Sequence, residues 1–301
     1  MLSPIDEVIA RVQAVYGGWG RQVTVQKMRD DWDGLFGSDA PRAPVRTDTL
    51  QGVPVAWVAG EGADARRVFI YLHGGGYQVG SIASHADLVA RISAASGMTG
   101  LIIDYRRAPE HRFPAPIDDV LAVWMALATR GFDVADIPMV GDSAGGNLAL
   151  ASAIALRERA EPLPRALVLL SPWTDLEARG ASYETRAAAD PIHQRKMILN
   201  MAGAYLNGAD AADRLASPLN ADMAGMPPML IQVGDRETVL SDSEDLAAVA
   251  RQAGVPVELQ VWPGMIHVFQ QFPDVLAEAR EAVEAIGAFL SPAHESSEEK
   301  I

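Results

Sequence analysis

The chain has 301 residues and a mass of 32.2 kDa, which is enough to bury one large core or two smaller ones. Its formal net charge of −14 argues against nucleic acid or an anionic membrane surface as a partner, because binding to either depends on lysine and arginine. The chain contains no cysteine, which excludes disulfides, thiolate metal sites and a cysteine nucleophile.

From residue 45 onward, short β-rich segments alternate with longer helical patterns. This alternation predicts an α/β fold with a mostly parallel sheet of eight strands and helices on both faces. Helices are predicted over 84–96 and 116–129, after Ser143, over 241–252 and up to about residue 290. The predicted strands lie within residues 44–50, 53–59, 67–72, 99–105, 136–142, 165–173, 228–235 and 255–262.

Two segments, residues 4–36 and 177–226, interrupt this alternation with amphipathic helical patterns. We interpret them as parts of a helical cap over the sheet. Ordinary core helices that flank the sheet are the alternative. The predicted division is a cap of residues 1–40 and 177–226, an α/β domain of residues 41–176 and 227–292, and a flexible tail of residues 293–301.

The segment PMVGDSAGGNLA, residues 138–149, predicts a strand that turns sharply into a helix. Ser143 lies between Gly141 and Gly145 in the pattern Gly-x-Ser-x-Gly, whose small residues let the chain reverse and expose the hydroxyl. A phosphate-binding glycine loop is the alternative, but the spacing matches neither Gly-x-Gly-x-x-Gly nor a P-loop. Ser143 is therefore the candidate nucleophile.

A serine nucleophile needs a base and a site for the developing oxyanion. The glycines of His73-Gly74-Gly75-Gly76 follow a predicted strand, and their N–H groups could point at an incoming carbonyl oxygen. Of the six histidines, only His267 lies in the segment just after the last predicted strand, which is where the base that serves a serine in this strand–turn–helix motif lies. His267 is therefore the candidate base.

The acid of the triad should follow the penultimate strand, where three carboxyl groups occur. Asp235 follows the strand directly and is the simplest choice from chemistry. Glu237 lies two residues further on, but its extra methylene extends its reach, and Asp242 follows later in the same segment. The residues alone leave the choice open.

Four motifs occur together in this chain: HGGG at 73–76, YRRAPEHRFPAP at 105–116, GDSAGG at 141–146 and the late Gly-x-x-His at 264–267. With them, the chain resembles, over nearly its whole length, the hormone-sensitive-lipase-like carboxylesterases, the bacterial family IV or GDXG enzymes of the α/β-hydrolase fold. The resemblance implies that Ser143 is the nucleophile and His267 the base. It also implies that the N–H groups of Gly75, Gly76 and Ala144 form the oxyanion hole, and that His73 and Gly74 shape the oxyanion loop.

The resemblance also bears on the acid. Members of the family often read Asp-Pro-Leu-x-Asp there, whereas this chain reads Glu-Thr-Val-Leu-Ser-Asp, whose first position is Glu237. The separation of 30 residues between Glu237 and His267 is similar to that in members with a glutamate acid. Glu237 is the favoured acid and Asp235 the alternative. Arg107 stands where an apolar residue is usual, in a stretch that we interpret as a brace beneath the oxyanion loop.

These residues predict carboxylic ester hydrolysis through a serine acyl-enzyme, with no metal or cofactor. Activity should fall as His267 protonates near its reference pKa of about 6.5. Lactone hydrolysis or acyl transfer would use the same machinery, and a non-catalytic receptor on this fold is a further alternative. Methionines and aromatic residues predict an apolar pocket for short- to medium-chain acyl groups, although they could simply be core: Met28, Trp32, Phe36, Met197, Met201 and Tyr205.

The expected partner is a small-molecule ester. The resemblance implies a homodimer through the edge strand near residues 256–262. The chain begins with no secretory-signal pattern and has no apolar run of membrane-spanning length, which predicts a cytoplasmic protein without a membrane partner.

Overall fold

The computed structural model describes residues 2–20, 22–37 and 42–291. Within them, eight strands form one sheet in the order β1-β2-β4-β3-β5-β6-β7-β8. β2 runs antiparallel to both of its neighbours and all the other pairs are parallel, which confirms the predicted mostly parallel sheet. The strands are β1 (Val45–Leu50), β2 (Val53–Val58), β3 (Asp64–Leu72), β4 (Met98–Ile103), β5 (Met139–Asp142), β6 (Leu167–Leu170), β7 (Met229–Gly234) and β8 (Val257–Trp262).

Helices cover both faces of the sheet, as predicted. Side chains of β3 alternate between the two faces: Ile70 packs in the cluster beneath α4, α5 and α8, whereas Phe69 and Tyr71 pack against α3 and α9. The central strands are buried throughout because helices exclude water from both of their faces. These five helices are α3 (Ile82–Ser96), α4 (Ala115–Thr129), α5 (Ala144–Glu158), α8 (Leu240–Gln252) and α9 (Ala277–Leu290).

Local signals explain where several elements begin. The hairpin between β1 and β2 turns at Gln51 and Gly52, both with positive φ, which is the backbone that a two-residue hairpin requires. Helix α3 begins two residues earlier than predicted because Ser81 caps it and forms a reciprocal capping box with Ser84. β3 begins at Asp64, where it pairs with Met98, and not at residue 67.

The two interrupting segments supply four further helices near the carboxyl ends of the parallel strands. Their division from the rest of the chain as a cap stays a prediction, and the predicted tail of residues 293–301 lies outside the described residues. Among the helices described, none combines the length and apolar character that a bilayer span requires. The four are α1 (Pro4–Tyr16), α2 (Val25–Phe36), α6 (Ser182–Thr185) and α7 (Arg195–Leu206).

Candidate active site

Ser143 occupies the sharp turn between β5 and α5, and its backbone is strained. Its φ of 53° and ψ of −118° lie in a region that costs a non-glycine residue about 1–3 kcal/mol. Two hydrogen bonds hold this conformation: the Ser143 N–H donates to the Leu170 carbonyl at 2.8 Å, and the Trp173 N–H donates to the Ser143 carbonyl at 3.1 Å. Such imposed strain is typical of active-site residues.

The flanking glycines are required by close backbone contacts. A Cβ on Gly145 would strike the carbonyl oxygen of Leu72 at the end of β3, and a Cβ on Gly141 would strike the carbonyl of Gly145. Neither neighbour can move without disturbing the sheet or the helix. The turn therefore closes only with small residues on both sides of Ser143.

His267 lies in the loop after β8 and is hydrogen-bonded to Glu237. The distance from His267 Nδ1 to Glu237 Oε2 is 2.8 Å, and both side chains are buried. Burial by itself lowers the pKa of His267, but the hydrogen bond and negative charge of Glu237 outweigh burial, so the pKa lies above its ordinary value of 6.5. Because Nδ1 is engaged with Glu237, Nε2 is the ring nitrogen of His267 that this contact leaves free.

The other oxygen of Glu237 is also fixed. Oε1 accepts hydrogen bonds from the Ser171 hydroxyl at 2.7 Å and from the Gly234 N–H at 2.5 Å. The Ser171 hydroxyl in turn accepts from the Val268 N–H at 3.2 Å, next to His267. The carboxylate therefore has little freedom to turn away from the imidazole.

The two other candidate acids face elsewhere. Asp235 Oδ1 accepts a hydrogen bond from the Gly264 N–H at 2.8 Å and so braces the loop that leads to His267. Asp242 Oδ2 accepts from the N–H groups of Thr174 and Asp175, at 2.8 Å and 2.9 Å. The structure thus brings Glu237, and neither aspartate, into hydrogen-bond contact with the candidate base.

The HGGG loop is anchored beside Ser143 by the carboxylate of Asp142. Asp142 Oδ1 accepts hydrogen bonds from the Gly74 N–H at 3.0 Å and the Tyr71 hydroxyl at 2.8 Å. Burial raises the pKa of Asp142, but the adjacent His85, together with the Tyr71 hydroxyl, outweighs burial and holds the pKa below its ordinary value. Burial lowers the pKa of His73 to about 3, so its imidazole is neutral and Nδ1 can donate to the Gly74 carbonyl at 2.9 Å.

The next two glycines adopt backbone conformations that favour glycine, with φ of 111° at Gly75 and 59° at Gly76. A Cβ on Gly76 would also lie 2.5 Å from the sulfur of Met201. Within residues 2–20, 22–37 and 42–291, no backbone carbonyl accepts a hydrogen bond from the N–H of Gly75, Gly76 or Ala144. These three donors are available to a substrate oxygen.

The YRRAPEHR stretch contacts the underside of this loop. The Tyr105 hydroxyl donates to the His73 carbonyl at 2.7 Å, and the Ala108 N–H donates to the Tyr77 carbonyl at 2.8 Å. The guanidinium of Arg107 donates to the Gly80 carbonyl. Arg107 thus contributes to the brace.

Ser143, His267, Gly75 and Gly76 line one cavity of about 570 Å³. Five of the six predicted pocket residues line it as well, but Tyr205 does not. The Tyr205 ring is fully buried and stacks on Tyr77 with ring centroids 3.7 Å apart, so it belongs to the core and the prediction for it is wrong. Lining residues that the sequence did not identify include Tyr16, Trp19, Trp173, His193 and Phe272.

Comparisons with known proteins identify the family of the fold. The family model described as alpha/beta hydrolase fold matches residues 69–271. The chain is 42% identical over 237 residues to an acetyl-hydrolase of Streptomyces hygroscopicus, an alignment that covers 79% of each protein.

Solved structures extend the likeness to nearly the whole chain. A crystal structure of an esterase from the bacterial hormone-sensitive lipase family is 40% identical, with a TM-score of 0.92 and coverage of 96% of this chain and 98% of that one. The structure of EstE5 soaked with p-nitrophenyl butyrate is 38% identical, with a TM-score of 0.88 and coverage of 94% and 97%.

Proposed function

We propose, because the chain belongs to the hormone-sensitive-lipase-like carboxylesterases of the α/β-hydrolase fold, that it hydrolyses short- to medium-chain acyl esters with the triad Ser143, His267 and Glu237. The chain is a serine ester hydrolase. The observation that carries the triad is the buried hydrogen bond of 2.8 Å between His267 and Glu237, because His267 lines the same cavity as the strained Ser143.

In the proposed reaction, the Ser143 hydroxyl attacks the ester carbonyl carbon and transfers its proton to Nε2 of His267. The imidazolium that forms is stabilised by the side chain of Glu237, which is hydrogen-bonded to Nδ1. The free N–H groups of Gly75, Gly76 and Ala144 would stabilise the oxyanion, and each such donor lowers a barrier by about 3–4 kcal/mol.

Collapse of the tetrahedral intermediate breaks the ester C–O bond, and His267 returns the proton to the departing alcohol. A covalent acyl group remains on Ser143. Water then attacks this acyl-enzyme with His267 as base, which releases the carboxylic acid and restores the free hydroxyl.

The cavity supports the proposed chain length. Its wall is largely apolar, with methionines from α2 and α7 and aromatic rings from α1 and α2. A volume of about 570 Å³ lies in the range of small-ligand sites, so it suits a short or medium acyl chain with its alcohol. The similar protein EstE5 was soaked with p-nitrophenyl butyrate, an ester with a short acyl chain. The residues of the proposed cap, 1–40 and 177–226, supply these apolar side chains.

A panel of p-nitrophenyl esters with acyl chains of increasing length tests this proposal. We expect kcat/KM to be highest among the short and medium chains, and Ser143→Ala to remove the activity on all of them. Met201→Ala should shift the preference toward longer chains, because Met201 lines the cavity, whereas Leu199→Ala on the exposed side of the same helix should leave the profile unchanged. A preference that rises steadily toward the longest chains would contradict the proposed substrate class.

A further inference from the structure

The imidazole of His193 packs against the imidazole of His267. The ring centroids are 4.4 Å apart and the planes are inclined by 83°, an edge-to-face arrangement. Both side chains are buried and both line the active-site cavity. Among the described residues, Nδ1 of His193 has no hydrogen-bond partner. His193 therefore contacts the proposed base by ring packing.

A buried carboxylate fixes the position of His193. Asp190 Oδ1 accepts hydrogen bonds from the N–H groups of Ile192 and His193, at 2.8 Å and 2.9 Å. Asp190 Oδ2 accepts from the N–H and the hydroxyl of Thr238, at 2.8 Å and 3.0 Å. Because Thr238 follows Glu237 directly, Asp190 links the His193 segment to the proposed acid.

His193 has a second aromatic neighbour on helix α1. The ring of Tyr16 also lies edge-to-face to His193, with centroids 6.2 Å apart. The imidazole of His193 is thus in contact range of Tyr16 and of His267, and its backbone is held by Asp190.

Burial, together with the charge of His267, keeps His193 neutral. Burial lowers the pKa of His193 to about 3, and the charge of His267 contributes, while Asp190 opposes the shift. The charged groups that act on His267 are Glu237, Asp190 and Asp142, all of which raise its pKa. When His267 becomes an imidazolium during catalysis, its neighbour therefore adds no second positive charge.

We propose that His193 is a positioning residue for the base, whose ring holds the His267 imidazole in its productive orientation and keeps water away from it. This inference rests on the proposed function. It places a residue of the segment between α6 and α7, within the proposed cap, in support of the triad. Burial lowers the pKa of His267, so loss of the shielding ring should raise that pKa further.

The test compares His193→Ala with His193→Phe, which keeps a ring but removes the nitrogens. For p-nitrophenyl butyrate we expect His193→Ala to lower kcat by about 10- to 100-fold with little change in KM, since small misplacements of reacting groups have effects of this size. The acid limb of the pH profile of kcat/KM should move up by about half a pH unit. His193→Phe should restore most of kcat and return the limb to its wild-type position.

Two further variants keep the test decisive. Met197→Ala enlarges the same cavity and should change KM without moving the acid limb. His193→Asn removes the ring but leaves a smaller cavity than alanine does. If the His193→Ala protein does not fold, His193→Asn takes its place, and the expected changes in kcat and in the acid limb are the same.

An unchanged kcat and an unchanged acid limb in His193→Ala would overturn the inference. A kcat of His193→Phe as low as that of His193→Ala would overturn it as well. In both cases an active wild-type chain would leave the proposed function intact. A wild-type chain without ester turnover would overturn the proposed function and the inference together.

Discussion

Two carboxyl groups, Asp235 and Glu237, follow β7 closely, and their hydrogen bonds separate their roles. Glu237 bonds to the imidazole of His267, whereas Asp235 bonds to the backbone N–H of Gly264. We expect Glu237→Gln to lower kcat by about 1,000- to 10,000-fold, because an amide neither favours the required tautomer nor stabilises the imidazolium. Turnover of p-nitrophenyl butyrate measures this loss.

Asp235→Asn is the matched control for this substitution. Asparagine retains an oxygen that can accept from the Gly264 N–H, so we expect kcat within about threefold of the wild type. An inactive Asp235→Asn beside an active Glu237→Gln would reverse the assignment of the acid.

The raised pKa of His267 sets the pH dependence. The base works only when its imidazole is neutral, so kcat/KM should fall as the pH drops through the pKa of His267 in the free enzyme. Because Glu237 raises that pKa above 6.5, the midpoint should lie above pH 6.5 and not at the reference value expected from the sequence. The measurement is kcat/KM from pH 5 to pH 9. A flat profile, or a profile whose acid limb has its midpoint below pH 6.5, would contradict this expectation.

Short sequence motifs predicted Ser143, His267 and the oxyanion glycines as candidates, because each lies in a segment with its own pattern. The sequence could not reveal His193 or Phe272 in the cavity, since they come from distant segments that share no motif. Chain position alone could not choose between the two acids, because side-chain reach and direction decide which one meets His267.

At the scale of elements, the turn between β5 and α5 depends on the closeness of Gly145 to β3. A methyl group there would strike the Leu72 and His73 carbonyls. We expect Gly145→Ala to reduce the free energy of unfolding by about 1–3 kcal/mol, and kcat by about 100-fold, since the hydroxyl of Ser143 would shift.

Gly203→Ala provides the control for the same chemical change. Gly203 lies on the exposed side of α7, and outside the backbone of its own helix no described atom lies within 4 Å of its would-be Cβ, so alanine should stabilise the helix by up to about 1 kcal/mol. Denaturant melts and turnover of both variants test the comparison. A Gly145→Ala protein as stable and active as the wild type would contradict the described geometry.

Helix α7 also shows why the predicted pocket contained an error. Its buried apolar residues lie on one side of the helix, and that side is wide enough to contact two different surroundings. Met201 lines the cavity, whereas Tyr205, one turn later, stacks on Tyr77 in the core. Helical periodicity predicts burial and cannot distinguish a cavity wall from packed core.

For the whole molecule, the eight strands were predictable because each contains a short β-rich run bounded by turn residues. Their order was not, since β4 lies between β2 and β3 and local sequence does not encode which strands become neighbours. The resemblance to the hormone-sensitive-lipase-like family, carried by four motifs, is confirmed by the comparisons.

The homodimer remains a prediction, and β8 is the proposed contact. Within the part of the chain that the structure describes, this strand pairs only with β7, so its other edge has backbone groups available, and Val261 is 40% exposed there. Light scattering should give about twice 32.2 kDa for the wild type. Val261→Lys should give a monomer, whereas Leu199→Lys on α7 should not. A monomeric wild type would contradict the prediction.

Covalent labelling of Ser143 tests the central claim most directly. An alkyl p-nitrophenyl phosphonate should add one phosphonyl group to the wild-type protein, located on Ser143 by mass spectrometry, and ester turnover should be lost in proportion. His267→Ala should label far more slowly. A protein that hydrolyses esters but carries the adduct on another residue, or carries none, would contradict the account.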